Sequence, residues 1–139
     1  MLRVRTHYMA AALLTIIVGL IVHTGGTAIG PVAQDVLGDA LWAAMIVWLA
    51  GAVAPRAALT ARLVVAYLIC GAVELSQLYH TPALDALRAT FVGHLVLGSG
   101  FDPRDLGSYA LGVAGAALVE VIADRNQRHN SSSPPDQRT

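Results

Sequence analysis

Six polar side chains lie at or near the ends of long apolar runs, where their chemistry is unusual enough to suggest a site. They are Asp39, Glu74, Gln77, Arg88, Asp105 and Tyr109. A carboxylate shielded from water can act as a general base, and the planar fork of an arginine matches phosphate and carboxylate groups. Polar groups in apolar segments cost free energy unless they find partners, so the elements that carry them must bring them together.

The composition is that of a membrane protein. Of the 139 residues, 55% are hydrophobic and 13% are charged, with a mean hydropathy of +0.59, whereas soluble domains carry about 25% charged residues. We therefore expect the lipid bilayer as the main partner. The formal net charge is zero, which favours no nucleic acid partner. The single cysteine, Cys70, forms no internal disulfide, and the sequence shows no metal-ligand or cofactor motif.

Four apolar segments are long enough to cross a bilayer as helices, which requires roughly 20 residues and a backbone that satisfies its own hydrogen bonds. The predicted spans are 8–24, 36–54, 57–79 and 106–124. We therefore predict an all-α integral membrane bundle of four transmembrane helices, formed by a single domain over residues 1–125. The tail 126–139 is polar and rich in serine and proline, so we expect it to be disordered.

The distribution of arginine predicts how the bundle is oriented. The basic clusters are Arg3 and Arg5, then Arg56 and Arg62, and finally Arg125 and Arg128. Since basic residues favour the cytoplasmic side, we expect both termini in the cytoplasm and both longer loops outside. An apolar run after arginines also occurs in signal peptides, but no small-residue cleavage site follows this one. We therefore expect the first span to be retained.

Residues 83–97 are too short and too polar to span a bilayer. Their apolar positions recur at helical spacing, at Leu84, Leu87, Phe91 and Leu95. This pattern predicts a short interfacial or re-entrant helix between the third and fourth spans. Arg88 falls on its apolar stripe, and two interpretations stay open. Its long side chain could snorkel to the headgroups, or it could point into the bundle and meet a carboxylate.

Small residues accompany the polar ones on the third and fourth spans. Gly71 lies three residues before Glu74, on the same helical face. The fourth span carries a stripe with spacings of four, three and four residues, formed by Asp105, Tyr109, Gly112 and Ala116. Because small residues let helices approach closely, we predict that Gly71, Gly112 and Ala116 are packing positions.

The convergence of the six polar groups at one membrane level also allows two interpretations. Asp39 and Asp105 lie near the starts of their spans, where aspartate often caps a helix. The whole cluster could then be a structural clasp that joins spans two, three and four. Alternatively, the cluster is a ligand site, since ionisable residues inside membrane spans are functional candidates.

Five short motifs resemble those of a bacterial family of small four-helix membrane proteins, whose shared domain has no assigned function. They are "GDALWA" (38–43), "VELSQLYH" (73–80), "LDALRAT" (84–90), "LVLGSGF" (95–101) and "DLGSYALG" (105–112). The resemblance extends from about residue 10 to residue 124. It implies a multi-pass protein of the bacterial cytoplasmic (inner) membrane, and it implies no activity.

The chain is also more distantly similar to the VanZ-like family, which is associated with teicoplanin resistance. That family has a Glu-x-x-Gln pair and an arginine in the following loop. An aspartate comes next, with an asparagine four residues later and glycines three and then four residues further on. The positions here are Glu74, Gln77, Arg88, Asp105, Tyr109, Gly112 and Ala116. Tyr109 replaces the amide and Ala116 the second glycine. The similarity implies an envelope-associated membrane protein.

These observations favour a non-enzymatic membrane protein with an outward-facing polar pocket. Its ligand would be a lipid headgroup, an anionic lipid or lipid-linked envelope precursor held by Arg88, or another membrane protein. The alternative is a membrane-embedded enzyme that acts on a lipid-linked substrate, with Glu74 or Asp105 as acid or base. A transporter or channel subunit is less favoured, since the chain has no inverted repeat and a pore would need a homo-oligomer.

Overall fold

The structure is a computed structural model that describes residues 2–25, 29–98 and 100–132. These residues form six helices and no strand: α1 (Leu2–Gly25), α2 (Pro31–Val53), α3 (Leu59–Ser76), α4 (Pro82–Arg88), α5 (Phe91–Leu97) and α6 (Pro103–Ser132). Four of the six, α1, α2, α3 and α6, are long and apolar enough to cross a membrane. The predicted all-α membrane bundle with four spanning helices is therefore confirmed.

Glycine and proline set the limits of α2. The helix begins at Pro31, whose fixed φ suits a first helical position. Gly30 precedes it with a φ of 82°, a conformation that glycine adopts without steric cost. The helix ends at Val53, shortly before Pro55, because proline lacks an N–H and disfavours a helical conformation in the residue before it.

The central helix of the bundle is α2, which packs against α1, α3 and α6, while α3 and α6 also pack against each other. The main buried cluster is small, and consists of Ala12, Val47, Trp48, Ala66 and Ala116. Large apolar side chains lie mostly on the outside, as the exposed leucines Leu13, Leu14, Leu68 and Leu118 illustrate. Such a surface suits a lipid environment, in which apolar side chains need no burial inside the protein.

The segment between α3 and α6 contains two short helices where the spacing predicts one helix over 83–97. Thr81 caps α4 by accepting the Leu84 N–H at 3.2 Å, and Thr90 caps α5 by accepting the Gly93 N–H at 3.0 Å. The second cap starts a new helix and interrupts the first. Apolar residues recur on both sides of this break, so periodicity alone does not show it.

At its other end, α6 continues to Ser132, seven residues into the tail 126–139 for which the composition predicts disorder. Once a helix has formed, each added residue gains a backbone hydrogen bond at little further cost. Gln127 and Arg128 are also good helix formers. The remaining tail residues, 133–139, lie outside the described part of the chain.

The four long helices, α1, α2, α3 and α6, run alternately up and down, so the bundle has two distinct ends. The terminal end is the one that contains the starts of α1 and α3 and the last part of α6. The loop end is the opposite end of the bundle. It contains the ends of α1 and α3, the starts of α2 and α6, and both short helices. Five of the six candidate residues meet at the loop end.

Candidate functional site

Glu74 is a fully buried carboxylate, with 0% of its surface exposed. Its Oε2 accepts hydrogen bonds from Gln77 Nε2 at 2.9 Å and from the Tyr109 hydroxyl at 3.0 Å. Its Oε1 accepts the backbone N–H of Asp102 at 2.7 Å. Three donors offset the cost of burying a carboxylate. Glu74 therefore joins α3 to α6 and to the connection before α6, and we call this group the Glu74 clasp.

Local sequence explains how the clasp forms. Gln77 follows Glu74 by three residues, which is close to one helical turn, so the amide reaches back to the carboxylate. Gly98 leaves space for the Gln77 amide, since an added Cβ at Gly98 would collide with it. Gly98 also has a φ of 67°, which disfavours other residues. This glycine is not among the residues predicted from the sequence, although its place just before the fourth predicted span was a signal.

Asp39 and Asp105 form a second group beside the clasp, which we call the aspartate pair. Their carboxyls lie close enough to interact across the contact between α2 and α6. Two carboxyls this close repel each other when both are ionised. A proton or a cation between them therefore stabilises the arrangement.

Neither member of the aspartate pair caps its helix. Asp39 lies about two turns inside α2, which begins at Pro31. At the start of α6, Asp102 Oδ1 accepts the Arg104 N–H at 2.9 Å, so Asp102 rather than Asp105 satisfies this helix terminus. Neither aspartate is therefore the capping residue of its helix. Asp105 still lies in the first turn of α6, where a carboxylate is favoured, whereas the position of Asp39 inside α2 needs another explanation.

Arg88 does not join the other five candidates. Its guanidinium donates to the carbonyl oxygens of Ser76 at 2.7 Å and Tyr79 at 2.9 Å, and lies 3.4 Å from the Asp85 carboxylate. The last carbonyls of a helix lack intrahelical donors and attract a cation. Arg88 is only 6% exposed, so it does not snorkel. It holds α4 against the end of α3. The prediction that Arg88 belongs to the polar cluster is therefore corrected, since its partners are these carbonyls and Asp85.

The three predicted packing positions differ in how close their neighbours lie. An added Cβ at Gly112 would collide with the backbone carbonyl of Ala40, so glycine permits the close approach of α6 and α2. Ala116 is 2% exposed and lies in the main buried cluster. Gly71 is different, because a Cβ added there meets no atom within 4 Å. The prediction of a close helix contact at Gly71 is therefore wrong.

A cavity of about 780 Å³ lies beside the aspartate pair, bounded by α1, α2, α5, α6 and the end of α3. This volume is within the range of small-molecule pockets. Its apolar lining includes Ile16, Leu20, Met45, Ile46 and Leu49. Its polar lining includes Gln34, Asp35, Asp39, Gln77, Asp102, Asp105 and Tyr109. Among the described residues, neither Glu74 nor any arginine lines this cavity.

A second polar cluster, which was not predicted from the sequence, lies at the terminal end. Arg62 of α3 is buried and forms an ion pair with the partly buried Glu120 of α6. Arg62 Nη1 donates to the Tyr8 hydroxyl at 2.8 Å, and that hydroxyl donates to Glu120 Oε1 at 2.7 Å. In the sequence, Arg62 was used only as one of the basic residues that predict the orientation of the bundle in the membrane. The available signal was a base and an acid inside two spans at a similar distance from the terminal end.

Comparison with known proteins shows one family relationship. A family model described as a protein of unknown function (DUF2809) matches residues 28–113. The matched region contains the Glu74 clasp and the aspartate pair, and it excludes Tyr8 and Glu120 of the second cluster. No solved structure matches the chain.

Proposed function

Since the chain belongs to the DUF2809 family, whose description assigns no function, we propose from the geometry that this multi-pass membrane protein binds an amphiphile. The binding site is the cavity between α1, α2, α5 and α6. One observation carries the proposal, namely that a single cavity joins an apolar wall to a group of carboxyls and amides. Pockets of this kind, apolar with a few convergent polar groups, are the usual form of small-molecule sites.

The two walls suit the two parts of an amphiphile. The apolar wall, which includes Leu20, Met45 and Leu49, would contact an alkyl chain and exclude water from it. The polar wall, which includes the aspartate pair and Gln77, would contact a headgroup. A molecule with both parts therefore satisfies more of the lining than a fully apolar or fully polar ligand does.

The proposal gives separate roles to the Glu74 clasp and the aspartate pair. Glu74 is enclosed and both of its oxygens accept donors from the protein, so it stabilises the loop end without contacting the ligand. Asp39 and Asp105 line the cavity and contact the ligand directly. The structural and ligand-binding interpretations of the cluster then both hold, for different members of it. An acid or base for chemistry on a lipid-linked substrate would be Asp105 rather than Glu74.

The arginine distribution supports an orientation with both termini in the cytoplasm. In that orientation the loop end and its cavity lie in the outer half of the bacterial cytoplasmic membrane. The ligand would then reach the cavity from the outer leaflet, where lipids and lipid-linked envelope precursors are present. Thiol labelling of single cysteines at position 104 and position 128, in intact cells, tests this orientation. The first should react with an impermeant reagent and the second should not.

Trp42 offers a direct test of binding, because it lines the cavity whereas Trp48 is in the main buried cluster. The chain has two tryptophans, so Trp48→Phe leaves Trp42 as the only one. A neutral alkyl maltoside with a brominated chain should quench Trp42 saturably in phosphatidylcholine nanodiscs. The matched control, Trp42→Phe, retains Trp48 and should show only shallow, unsaturable quenching. Equal quenching of the two variants would rule out the cavity as the binding site.

A further inference from the structure

The cavity lining is acidic. Four aspartates contribute to it, Asp35, Asp39, Asp102 and Asp105. Over the described ranges, no arginine lines the cavity, and the basic side chains that do are the two histidines His23 and His94. Arg88, the residue whose guanidinium would suit an anion, instead donates to carbonyls at the end of α3. An anionic headgroup in this cavity would therefore face carboxylates without a guanidinium partner.

Several hydrogen-bond donors of the lining already have acceptors within the protein. The Tyr109 hydroxyl and Gln77 Nε2 donate to Glu74. Gln34 Nε2 donates to the His23 carbonyl at 2.6 Å, and the Thr15 hydroxyl donates to the Ala11 carbonyl at 2.8 Å. A phosphate, sulfate or carboxylate is recognised mainly by donors. The two hydroxyls have therefore used their single donors, and each amide has used one of its two N–H groups, which reduces the donor capacity that these side chains offer to such a group.

The acceptors around the cavity, unlike these donors, are not all paired within the protein. Gln77 is 4% exposed, and its Oε1 has no hydrogen-bond partner among the described residues. The bond from its Nε2 to Glu74 fixes which end of the amide is the acceptor. The carboxyls of Asp39 and Asp105 contact each other and repel unless a proton or cation lies between them. The close carboxyls favour a ligand that supplies donors and positive charge, and the enclosed Gln77 Oε1 is an acceptor that offers nothing to an anion.

We propose that the cavity binds a single-chain amphiphile whose headgroup carries an ammonium. An ammonium has three N–H donors, a positive charge and no acceptor, which complements the carboxyls of Asp39 and Asp105 on the cavity lining. The alkyl chain lies against the apolar wall. This inference rests on the proposed amphiphile binding and adds the chemical class of its headgroup. The ammonium can belong to a free amphiphilic amine or to the ethanolamine headgroup of a lipid.

Competition against the brominated neutral maltoside tests the inference in the Trp48→Phe protein. Dodecylammonium, dodecyl sulfate and dodecyl maltoside share one alkyl chain and differ in headgroup charge. Each is titrated into phosphatidylcholine nanodiscs, and its mole fraction in the bilayer is measured directly. Dodecylammonium should displace the probe at about a tenfold lower mole fraction than dodecyl sulfate does, as expected for a charge-assisted hydrogen bond.

Two variants locate the effect. Asp39→Asn removes one carboxylate of the aspartate pair. In this variant, dodecylammonium and dodecyl sulfate should displace the probe at similar mole fractions. Asp85→Asn removes an exposed carboxylate of α4 that does not line the cavity, and it should retain the preference. Lysophosphatidylethanolamine distinguishes the two sources of ammonium. Displacement as strong as that by dodecylammonium would indicate a lipid headgroup, and weaker displacement a free amine.

The outcomes separate this inference from the proposed function. One outcome is that the neutral probe quenches saturably and all three headgroups displace it equally from the Trp48→Phe protein, whose cavity lining is unaltered. This outcome would overturn the ammonium inference, and amphiphile binding would stand. Absence of saturable quenching by any probe would overturn both. The wild-type comparison needs no variant, so the inference can be contradicted even when Asp39→Asn fails to fold.

Discussion

The hydroxyl of Tyr109 lies 3.0 Å from Oε2 of Glu74, and this buried hydrogen bond joins α6 to α3 at the loop end of the bundle. One turn earlier on α6, Asp105 contacts Asp39 of α2 beside the cavity instead. Neighbouring turns of one helix therefore carry a structural contact and a candidate ligand contact. This division gives each group a separate experimental signature.

We predict that Tyr109→Phe destabilises the protein, because it removes one of the two donors to Glu74 Oε2 and leaves the carboxylate underbonded. The cost should be about 1–3 kcal/mol in the free energy of unfolding. Reversible unfolding in detergent micelles would measure it. Tyr79→Phe is the matched control, since Tyr79 is 67% exposed and should change the stability little. Equal stabilities of the two variants would contradict the Glu74 clasp.

Gly112→Ala should destabilise the bundle through steric overlap. The added Cβ would collide with the Ala40 carbonyl, which is backbone and cannot rotate away. Overpacking of this kind costs about 1–3 kcal/mol. Gly115→Ala is a control on the same helix, where an added Cβ meets nothing within 4 Å. Both variants gain helix propensity, so a lower unfolding free energy for Gly112→Ala alone would identify the contact between α6 and α2.

The ion pair of Arg62 and Glu120 should show strong non-additivity. Glu120→Leu leaves a buried guanidinium without its carboxylate and should cost about 3–5 kcal/mol of unfolding free energy. The double variant Arg62→Met/Glu120→Leu removes both charges and should be more stable than Glu120→Leu alone. Unfolding of the wild type, both single variants and the double variant completes the cycle. A double variant whose cost equals the sum of the two single costs would show that the residues do not interact.

Arg88→Gln should loosen the loop end, since glutamine cannot bridge the carbonyls of Ser76 and Tyr79 as the guanidinium does. Amide hydrogen exchange over 82–97 should become about tenfold faster or more, as expected when a charged hydrogen bond is lost. Arg104→Gln controls for loss of a surface charge, because Arg104 is exposed. Unchanged exchange over 82–97 in Arg88→Gln would contradict the anchoring role of Arg88.

Much of the fold could be predicted from the sequence, because long apolar runs in a bilayer have few alternatives to helix. The approach of Glu74, Gln77 and Tyr109 was predictable as well, since helical spacing and distance from the span ends place them together. The break near Thr90 was less accessible. Its cap competes with an apolar periodicity that continues on both sides, and periodicity is the stronger signal in a sequence.

Contacts that depend on side-chain direction could not be predicted. Arg88 reaches carbonyls of the preceding helix, and no spacing along its own helix shows this. Asp39 and Glu74 lie at similar levels, yet only Asp39 lines the cavity. Arg62 was interpreted as a flanking charge, because its partner Glu120 lies 58 residues away in the sequence. Such pairs follow from packing of the helices, which an apolar pattern leaves largely unspecified.

Mapping of covalent adducts from a photoreactive amphiphile tests the central claim most directly. The probe carries an ammonium headgroup and a diazirine within its alkyl chain, and is photolysed in nanodiscs at low mole fraction before digestion and mass spectrometry. Occupancy of the cavity predicts adducts concentrated on its apolar wall, at Ile16, Leu20, Met45 and Leu49, and suppressed by excess dodecylammonium. Adducts spread evenly over exposed outer leucines such as Leu13, Leu14, Leu68 and Leu118, and unaffected by competitor, would contradict it.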